Sequence, residues 1–359
     1  MQPIAPDDIV ATRSAAGDRE PLLVVDALRA YLDEHGLGAG DLDIAPLGDG
    51  HSNVTYLVTR AGGSEVVLRR PPRGPLAPST HDVLREARLL RALEGSAARV
   101  PRVVAVCEDP AVVGAPFYLM ERVHGEVLTS SLPPALDTPR ERRRCCEELV
   151  DALAEIHAVD WRARGLAGFS SDPGGYLARQ LRRFAGLWER HRTREAPAVD
   201  EVAAWLAAHA PRSGPPAIVH GDYRLGNVML SAMAPARLLA IFDWELATLG
   251  DPLADVGYLC ALWSERDDPE LGAFELSRVT RTAGFLTRDQ LVARYEQVSG
   301  RTVTDIAWYR ALALWKATIF MEGNYRRALA GTTDDPWLHG FGEGVVALAE
   351  RALAATRAA

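Results

Sequence analysis

Two short stretches near the middle of the chain decide its fold. Residues 220–227 read HGDYRLGN, and residues 241–245 read IFDWE at the end of an apolar run. Asp222 and Asn227 stand five positions apart, and Asp243 closes the apolar run. A carboxylate can accept a hydroxyl proton, and carboxylate and amide oxygens suit Mg²⁺ as ligands. The two stretches therefore predict a proton acceptor and a magnesium site on neighbouring loops.

The interval between Asp222 and Asn227 equals that of D-x-x-x-x-N, the catalytic loop of protein kinases. Transfer of a terminal phosphoryl group needs a group that accepts the hydroxyl proton and oxygen ligands for a metal ion that bridges the phosphates. Asp222 suits the first task, and Asn227 with Asp243 suits the second. The alternative is that these are ordinary turn and strand-end residues that satisfy backbone donors.

The two stretches resemble the aminoglycoside phosphotransferase and choline kinase-like family. The resemblance extends downstream through GDPLADVGYL and upstream to YLVTRAGGSEVVLRRPP, REARLLRAL and FYLMERVHG, so that it covers about residues 47–258. The strings VLRRPP, HGDYRLGN and DWELATLGDP also look like the kinase-like region that is fused to some acyl-CoA dehydrogenases. The resemblance implies the two-lobed fold of protein kinases and phosphorylation of small-molecule hydroxyls.

Carried over residue by residue, the resemblance implies a role for each polar residue of the two stretches. Asp222 would be the catalytic base, and His220 would brace the loop. Asn227 and Asp243 would be the ligands of Mg²⁺. The phosphoryl donor would be ATP, with GTP left open.

Two further acids follow the second stretch. Asp251 and Asp255 lie in GDPLADVGYL, where one of them would anchor the catalytic loop by hydrogen bonds. A solvated loop carboxylate is the equal alternative for either residue.

The periodicity of the chain predicts an α+β protein with a two-lobed, protein-kinase-like architecture. Before residue 123 the pattern is that of a small antiparallel sheet crossed by one helix, and afterwards helical patterns dominate. The exception is 218–243, which suits a small hairpin set into a helical domain. We expect residues 1–122 to form a nucleotide-binding lobe, and 123–359 to carry the catalytic loop and the acceptor site.

Individual elements follow from the same patterns. A helix is expected at 22–32, and a second one at 80–95, with Thr80 as its N-cap. The predicted strands are 44–47, 54–58, 65–70, 100–108 and 116–123.

The turn between the first two strands of this sheet, 47–53, reads LGDGHSN. Glycine lets a backbone approach a phosphate closely, and small polar side chains add donors. Gly50, Ser52 and Asn53 are therefore candidates for contact with the nucleotide phosphates. Without its context, the same turn would be an ordinary hairpin connection.

Kinases place a lysine on the third strand, where it contacts the phosphates and pairs with a helix glutamate. Here the only lysine is Lys316, and the strand ends in two arginines. Val67 and Arg69 share one strand face, so that Val67 would cover the adenine while Arg69 reaches the phosphates. Glu86, 17 residues further on, would be its partner. Arg70 in the same role, or two solvated arginines, remain alternatives.

The hinge that meets the adenine edge through backbone groups is expected near Met120 and Arg122. Acceptor contacts are expected from the later half of the chain. The C-terminal helices have no acidic run of the kind that a polycationic aminoglycoside would need, whereas 308–329 is rich in aromatics and arginine. This favours a hydroxyl substrate with apolar or anionic parts, such as an acyl thioester. The candidate acceptor contacts are Arg224, Glu245, Tyr258 and Glu322.

Composition excludes several other classes of protein. A net charge of −8 over 359 residues argues against a broad surface for nucleic acid or an anionic membrane. Four cysteines, two of them adjacent, predict reduced thiols and no disulfide framework. With no signal-peptide pattern and no apolar run of membrane length, we expect a cytoplasmic protein whose partners are a nucleotide and a small molecule. The sequence leaves its oligomeric state open.

A catalytically silent module that binds a nucleotide or metabolite is the rival hypothesis. Its support is the missing strand lysine, since the proposed base and metal ligands are all present. A protein kinase is disfavoured, because HGD replaces HRD and neither a DFG nor an APE string follows.

Overall fold

The protein is described here from a computed structural model. The described residues are 8–15, 20–48, 53–74, 81–270, 275–331 and 336–357. The chain divides into two compact units, an N-terminal unit of residues 1–96 and 100–124, and a C-terminal unit of residues 97–99 and 125–359. Within the described ranges, no helix is both long enough and apolar enough to cross a bilayer.

The N-terminal unit is built on a five-stranded antiparallel sheet. Its strand order is β3-β4-β5-β7-β6, while β1 and β2 form a separate parallel pair. The strands are β1 (Ile9–Val10), β2 (Leu23–Val24), β3 (Leu42–Pro46), β4 (Val54–Arg60), β5 (Glu65–Arg70), β6 (Val103–Cys107) and β7 (Phe117–Glu121). The helices are α1 (Val25–Glu34), α2 (Val83–Leu93) and α3 (Pro110–Val113).

The central strand β5 separates two environments. Leu68 is fully buried in a core that includes Leu28 and Leu32 of α1. Arg69, one position later, reaches Glu86 of α2 instead. Because strand side chains alternate between faces, the two sides of β5 take up different chemistry, as the sequence predicts.

Helix α2 starts later than expected. Its N-cap is Asp82, whose side chain accepts a hydrogen bond from the backbone N–H of Arg85 at 2.9 Å. The prediction of Thr80 as N-cap was wrong, because the first helical residue is Val83 and a capping side chain must immediately precede the helix.

The C-terminal unit is mainly helical. Its long helix α9 packs against α5, α6, α7 and α10, and buries Trp308 and Trp315 in the shared core. Helix α4 packs against α8. The helices are α4 (Pro139–Ala158), α5 (Tyr176–His191), α6 (Pro197–Ala208), α7 (Leu253–Leu262), α8 (Arg288–Ser299), α9 (Ile306–Leu329) and α10 (Phe341–Arg357). The strands are β8 (Ala217–Val219), β9 (Val228–Leu230), β10 (Leu238–Ile241) and β11 (Thr248–Gly250).

Two antiparallel ribbons replace the one hairpin that was expected over 218–243. Strand β9 pairs with β10, whereas β8 pairs with β11, which the sequence did not reveal. A strand of three residues is too short to show an alternating pattern. The loop 220–227 runs from the end of β8 to the start of β9, so that both of its ends are fixed by a ribbon.

Candidate active site

The β9–β10 ribbon brings the second carboxylate beside the loop. Its register pairs Ile241 with Val228, and the backbone N–H of Phe242 donates to the carbonyl of Asn227 at 2.8 Å. Asp243 is the next residue along the chain. Both predicted magnesium ligands therefore lie at the same end of one ribbon.

The carboxylate of Asp222 is held at both oxygens. Oδ2 accepts from the side-chain amide of Asn227 at 2.7 Å, and Oδ1 accepts from the hydroxyl of Tyr258 at 2.5 Å. The guanidinium Nε of Arg224 lies 3.5 Å from Oδ1. Hydrogen bonds to both oxygens of a carboxylate fix its orientation. Asp222 is thus a partly accessible carboxylate of fixed direction, which is what a proton acceptor requires.

The amide of Asn227 uses only its nitrogen toward Asp222. Nδ2 donates to the carbonyl oxygen of Asp222 at 2.8 Å and to Oδ2 of the same residue. The side-chain carbonyl oxygen is the remaining polar atom, and it is the atom type that ligates a hard cation. Asp243 adds a carboxylate and holds a left-handed backbone conformation, φ 64° and ψ 58°. The donor set of these two residues fits Mg²⁺.

His220 joins the two loops through its ring. Nδ1 accepts from the backbone N–H of Asp222 at 3.2 Å, so that Nε2 carries the proton and donates to the carbonyl of Phe242 at 2.9 Å. The ring is completely buried and packs against Trp244, with centroids 4.6 Å apart. Each ring nitrogen thus fixes one of the two segments that carry the polar residues.

Asp255 anchors the catalytic loop from helix α7. Its carboxylate is fully buried and accepts from the backbone N–H groups of His220 at 2.6 Å and Gly221 at 2.8 Å. His157 of α4 adds a third bond, from Nε2 at 3.2 Å. Burial alone would raise the pKa of Asp255, but the hydrogen bonds from His157 and from the backbone N–H of Gly221 act against it, and the pKa is lowered. The question left open by the sequence is answered in favour of Asp255.

Asp251 has a different task. One of its oxygens accepts from the backbone N–H of Leu253 at 3.0 Å, and the other accepts from the hydroxyl of Tyr309 at 2.8 Å. It is buried and links the start of α7 to α9. The solvated-carboxylate alternative therefore applies to neither acid.

Gly221 is required by its position between His220 and Asp222. Its φ is +88°, and a Cβ atom there would lie 2.9 Å from the carbonyl oxygen of Leu246. Any other residue would meet both backbone strain and a clash. The glycine lets the loop pass close to the turn that follows Asp243.

In the N-terminal unit, the expected pair between Arg69 and Glu86 is present. Nε of Arg69 lies 3.0 Å from Oε2 of Glu86, whose side chain is 1% exposed. Arg70 points the other way and donates to the carbonyls of Leu22, Pro71 and Val113. Burial lowers the pKa of Arg70 to about 10. Arg69 therefore occupies the strand position with a glutamate partner, whereas Arg70 serves the fold.

The other predicted nucleotide residues divide between described and undescribed positions. Val67 is buried and pairs with Met120 across β5 and β7, and Arg122 forms an ion pair with Glu65. Asn53 is buried, with its side-chain oxygen 3.2 Å from Nδ1 of His81. Gly50 and Ser52 lie outside the described residues. Contact of any of them with a nucleotide stays a prediction.

The four predicted acceptor residues lie in different settings. Arg224 and Tyr258 face Asp222, as described above, and Glu245 is half-buried in a short helical turn, Trp244–Leu246. Glu322 is completely buried, where Oε1 accepts from the backbone N–H and hydroxyl of Thr193 at 2.6 and 2.7 Å. Its geometry gives a structural reason for the carboxylate and no support for acceptor contact.

Sequence reasoning did not single out His157 as part of the site. His157 could have been noticed as a histidine among the buried residues of α4, because a buried polar ring needs hydrogen-bond partners from elsewhere in the fold. Those partners are Asp255 and the hydroxyl of Tyr295, which lies 2.7 Å from Nδ1.

The geometry can now be set beside known proteins. The family model described as "Phosphotransferase enzyme family" matches residues 43–283. The chain belongs to this family. The predicted resemblance is confirmed, and the polar cluster lies inside the matched region.

A curated relative gives a closer likeness over most of the chain. Acyl-CoA dehydrogenase family member 10 of Mus musculus is 33% identical over 333 residues, which cover 91% of this chain. The aligned part is 30% of that relative, so the chain spans less than a third of its length. The expected similarity to a region fused to acyl-CoA dehydrogenases is thereby confirmed.

Solved structures establish the fold. One from Ralstonia eutropha JMP134, named as an aminoglycoside phosphotransferase, is 32% identical with a TM-score of 0.78, and covers 93% of this chain and 98% of its own. A GDP and kanamycin complex of APH(2")-IIIa has a TM-score of 0.60 at 18% identity, and covers 92% of this chain and 97% of its own. The chain described here therefore has the kinase-like fold that its sequence predicted, with an antiparallel sheet in one region and helices in the remainder.

Proposed function

We propose that this phosphotransferase transfers the terminal phosphoryl group of ATP to a hydroxyl group of a small molecule. The observation that carries the proposal is that Asn227 and Asp243 lie at the same end of the β9–β10 ribbon, where Asn227 donates a hydrogen bond to Asp222. A proton acceptor and two oxygen donors for a cation lie together there, which is the set that phosphoryl transfer needs.

In this mechanism Asp222 orients the acceptor hydroxyl and accepts its proton. The bonds from Asn227 and Tyr258 hold the carboxylate in one orientation, so that little reorganisation is needed when the hydroxyl binds. Nε of Arg224 lies 3.5 Å from Oδ1 of Asp222 and adds positive charge beside the base. A kinase needs positioning and charge stabilisation far more than covalent chemistry.

Asn227, through its side-chain oxygen, and Asp243, through its carboxylate, are the residues that would hold Mg²⁺. The ion, when bound, would neutralise the charge of the nucleotide phosphates. His220 supports this set by joining the backbone of Asp222 to that of Phe242.

For the nucleotide we propose ATP, with Arg69 steadying the phosphates and Glu86 holding the guanidinium in place. An arginine keeps the charge of the usual lysine but presents a planar fork of donors. The charge at this strand position is therefore retained.

The acceptor that we propose carries apolar or anionic parts, such as a hydroxyacyl thioester, rather than an aminoglycoside. Support comes from the aromatic and arginine-rich α9 and from the name of the mouse relative, an acyl-CoA dehydrogenase family member.

The test is transfer of labelled phosphate from ATP or GTP, in the presence of Mg²⁺, to a panel of hydroxyl compounds that includes hydroxyacyl thioesters and aminoglycosides. Asp222→Asn should lower kcat by about 10² to 10⁴, because a positioned general base contributes that much. Asp41→Asn, at an aspartate that is 94% exposed, is the matched control and should leave the rate unchanged.

Binding measured by calorimetry separates this proposal from a silent binding module. If ATP and Mg²⁺ bind but no compound accepts phosphate, the silent module is the correct description. An Asp222→Asn variant that turns over at the parent rate would remove the proposed base.

A further inference from the structure

Arg224 of the catalytic loop carries hydrogen-bond donors that the fold leaves unused. Its side chain is 22% exposed, and its Nε is buried 3.5 Å from Oδ1 of Asp222 without making a hydrogen bond. Nη1 and Nη2 also donate to none of the residues that the structure describes. Buried donors are nearly always paired in native proteins, and a catalytic role is one explanation for an exception. The guanidinium is therefore a candidate for contact with a ligand.

Gly226 leaves the space that this guanidinium occupies. A Cβ atom built on Gly226 would overlap Nη1 of Arg224 and lie 3.1 Å from its Cζ. Apart from the adjacent residues, the three heavy atoms nearest to that Cβ all belong to the guanidinium. The backbone does not require glycine here, because its φ lies outside the left-handed region. The lack of a side chain at this position is therefore explained by Arg224, which lies against the loop directly before Asn227.

The guanidinium lies between the proposed base and the proposed cation ligands. Its Nε is beside Asp222, and its outer nitrogens lie against the residue before Asn227. Burial raises the pKa of Tyr258 well above its ordinary value, and the charges of Asp222, Arg224 and Asp243 act on the same hydroxyl. These three charges therefore share one neighbourhood. A transferred phosphoryl group must pass between a hydroxyl on the base and the nucleotide phosphates. Arg224 is placed to contact it there.

We propose that the guanidinium of Arg224 binds the phosphoryl group while it is transferred, and that Gly226 is the positioning residue that leaves room for it. This role rests on the proposed function. In the transfer, the acceptor oxygen forms a bond to phosphorus, the bond from phosphorus to the oxygen of ADP breaks, and the acceptor proton passes to Asp222. Negative charge is then spread over three equatorial oxygens, and a planar guanidinium offers them several N–H donors. Arg224 therefore binds the transition state more tightly than it binds the nucleotide.

A transition-state analogue tests this role without a known acceptor. Calorimetry measures the binding of ADP and Mg²⁺ with and without aluminium fluoride, which takes the place of the phosphoryl group. Arg224→Gln should weaken binding of the aluminium fluoride complex by about 10² to 10³, the loss expected for one donor to a developing charge, and leave the affinity for ADP unchanged. Arg212→Gln removes the same charge at an exposed position and is the matched control. Unchanged binding of ADP also shows that each variant is folded.

Gly226→Ala tests the positioning role. The new methyl group would overlap Nη1 of Arg224, the far end of a flexible side chain, so the guanidinium should move while the loop keeps its backbone. This variant should lose affinity for the aluminium fluoride complex and keep its affinity for ADP. Added to Arg224→Gln, it should cause no further loss, because both changes act on one contact. Gly214→Ala, where a Cβ atom meets nothing within 4 Å, is its control.

The outcomes separate this role from the proposed function. If Arg224→Gln binds the aluminium fluoride complex as tightly as the parent while phosphate is still transferred to a hydroxyl compound, the role of Arg224 is wrong and the kinase stands. The same conclusion follows if aluminium fluoride adds nothing to ADP binding in the parent, or if Arg224→Gln raises only the KM for the acceptor. Additive losses in the double variant would overturn the role of Gly226. If Arg224 holds the analogue but no compound accepts phosphate, the role is supported and the proposed activity is removed.

Discussion

Strand β5 and helix α9 each carry one cation, and the two cations are held in opposite ways. Arg69 of β5 is paired with a buried glutamate, Glu86, at 3.0 Å. Lys316 of α9 lies over an aromatic ring, beside Arg183, with no carboxylate partner in the described chain. The first cation is satisfied within the fold, whereas the second lacks an anion.

This difference separates two kinds of charged residue. A charge paired inside the fold has a fixed position and contributes to stability, and losing its partner exposes a buried opposite charge. A half-buried charge without an ion-pair partner costs stability. Substitutions that remove each charge should therefore act in opposite directions on stability.

The largest effect is expected at Asp255, a fully buried carboxylate with three hydrogen-bond donors. Its carboxylate accepts from His220, Gly221 and His157 and is fully buried. In Asp255→Asn an amide N–H would face one of these donors, so we expect a loss of about 3 to 5 kcal/mol in the free energy of unfolding. Urea denaturation measures it.

The pH dependence of this loss provides its control. The pKa of Asp255 is lowered in the folded state, so its contribution is present above its unfolded pKa and is lost as the pH falls through the folded pKa. The difference between the parent and Asp255→Asn should therefore shrink in acid, below the ordinary pKa of 3.8. A difference that does not vary with pH would contradict the assigned charge.

The next prediction sets the two cations against each other. Arg69→Met removes the guanidinium that pairs with the buried Glu86 and should cost about 3 kcal/mol of unfolding free energy. Lys316→Met removes a half-buried charge that makes no ion pair within the described residues and should cost nothing, or stabilise by about 1 kcal/mol. Both replacements are unbranched apolar side chains, so packing is matched. Equal losses in thermal or urea unfolding would show that the two cations are not held differently.

Contacts between residues that are close in the chain could be predicted from the sequence. Alternation along β5 separates Arg69 from Arg70, and the distance along the chain to Glu86 is one turn and a helix, so the pair could be predicted from neighbouring residues. The order Asp222, Asn227, Asp243 is likewise local, because a short ribbon joins them. In each case the contact is made between residues close in the chain.

Contacts between distant parts of the chain could not be predicted in the same way. The choice between Asp251 and Asp255 depends on the backbone N–H groups of His220 and Gly221, which lie 35 and 34 residues before Asp255. The strand Thr248–Gly250 is defined by its partner and not by its own pattern. The cation–π contact between Lys316 and Phe184 likewise joins two helices that are far apart in sequence. Periodicity shows which face of a helix is buried, but not which other helix covers it.

The third prediction uses pH to tell the two cations apart. Lys316 has a pKa of about 8, so between pH 7 and pH 9 its protonated fraction falls by about tenfold. Because the pKa of Lys316 is lower in the folded state than in the unfolded state, the free energy of unfolding should rise with pH over this range. Lys316→Met should remove this rise, whereas Arg69→Met should keep it, because arginine stays protonated. Urea denaturation at several pH values measures the rise, and an equal rise in the parent and in Lys316→Met would contradict it.

The smallest effect is expected when lysine is placed where kinases usually have it. Arg69→Lys keeps the charge opposite Glu86 but replaces a planar fork of donors by a single ammonium group. The pair would survive with altered geometry, so we expect the KM for ATP to change by about threefold and kcat to change little. Steady-state kinetics with ATP as the varied substrate measures both, and Arg102→Lys, at a side chain that is 62% exposed, is the control. The arginine of the parent protein already pairs with Glu86. A large gain in rate from Arg69→Lys would therefore mean that the arginine hinders contact with the phosphates. In that case the pair between Arg69 and Glu86 would serve the fold alone.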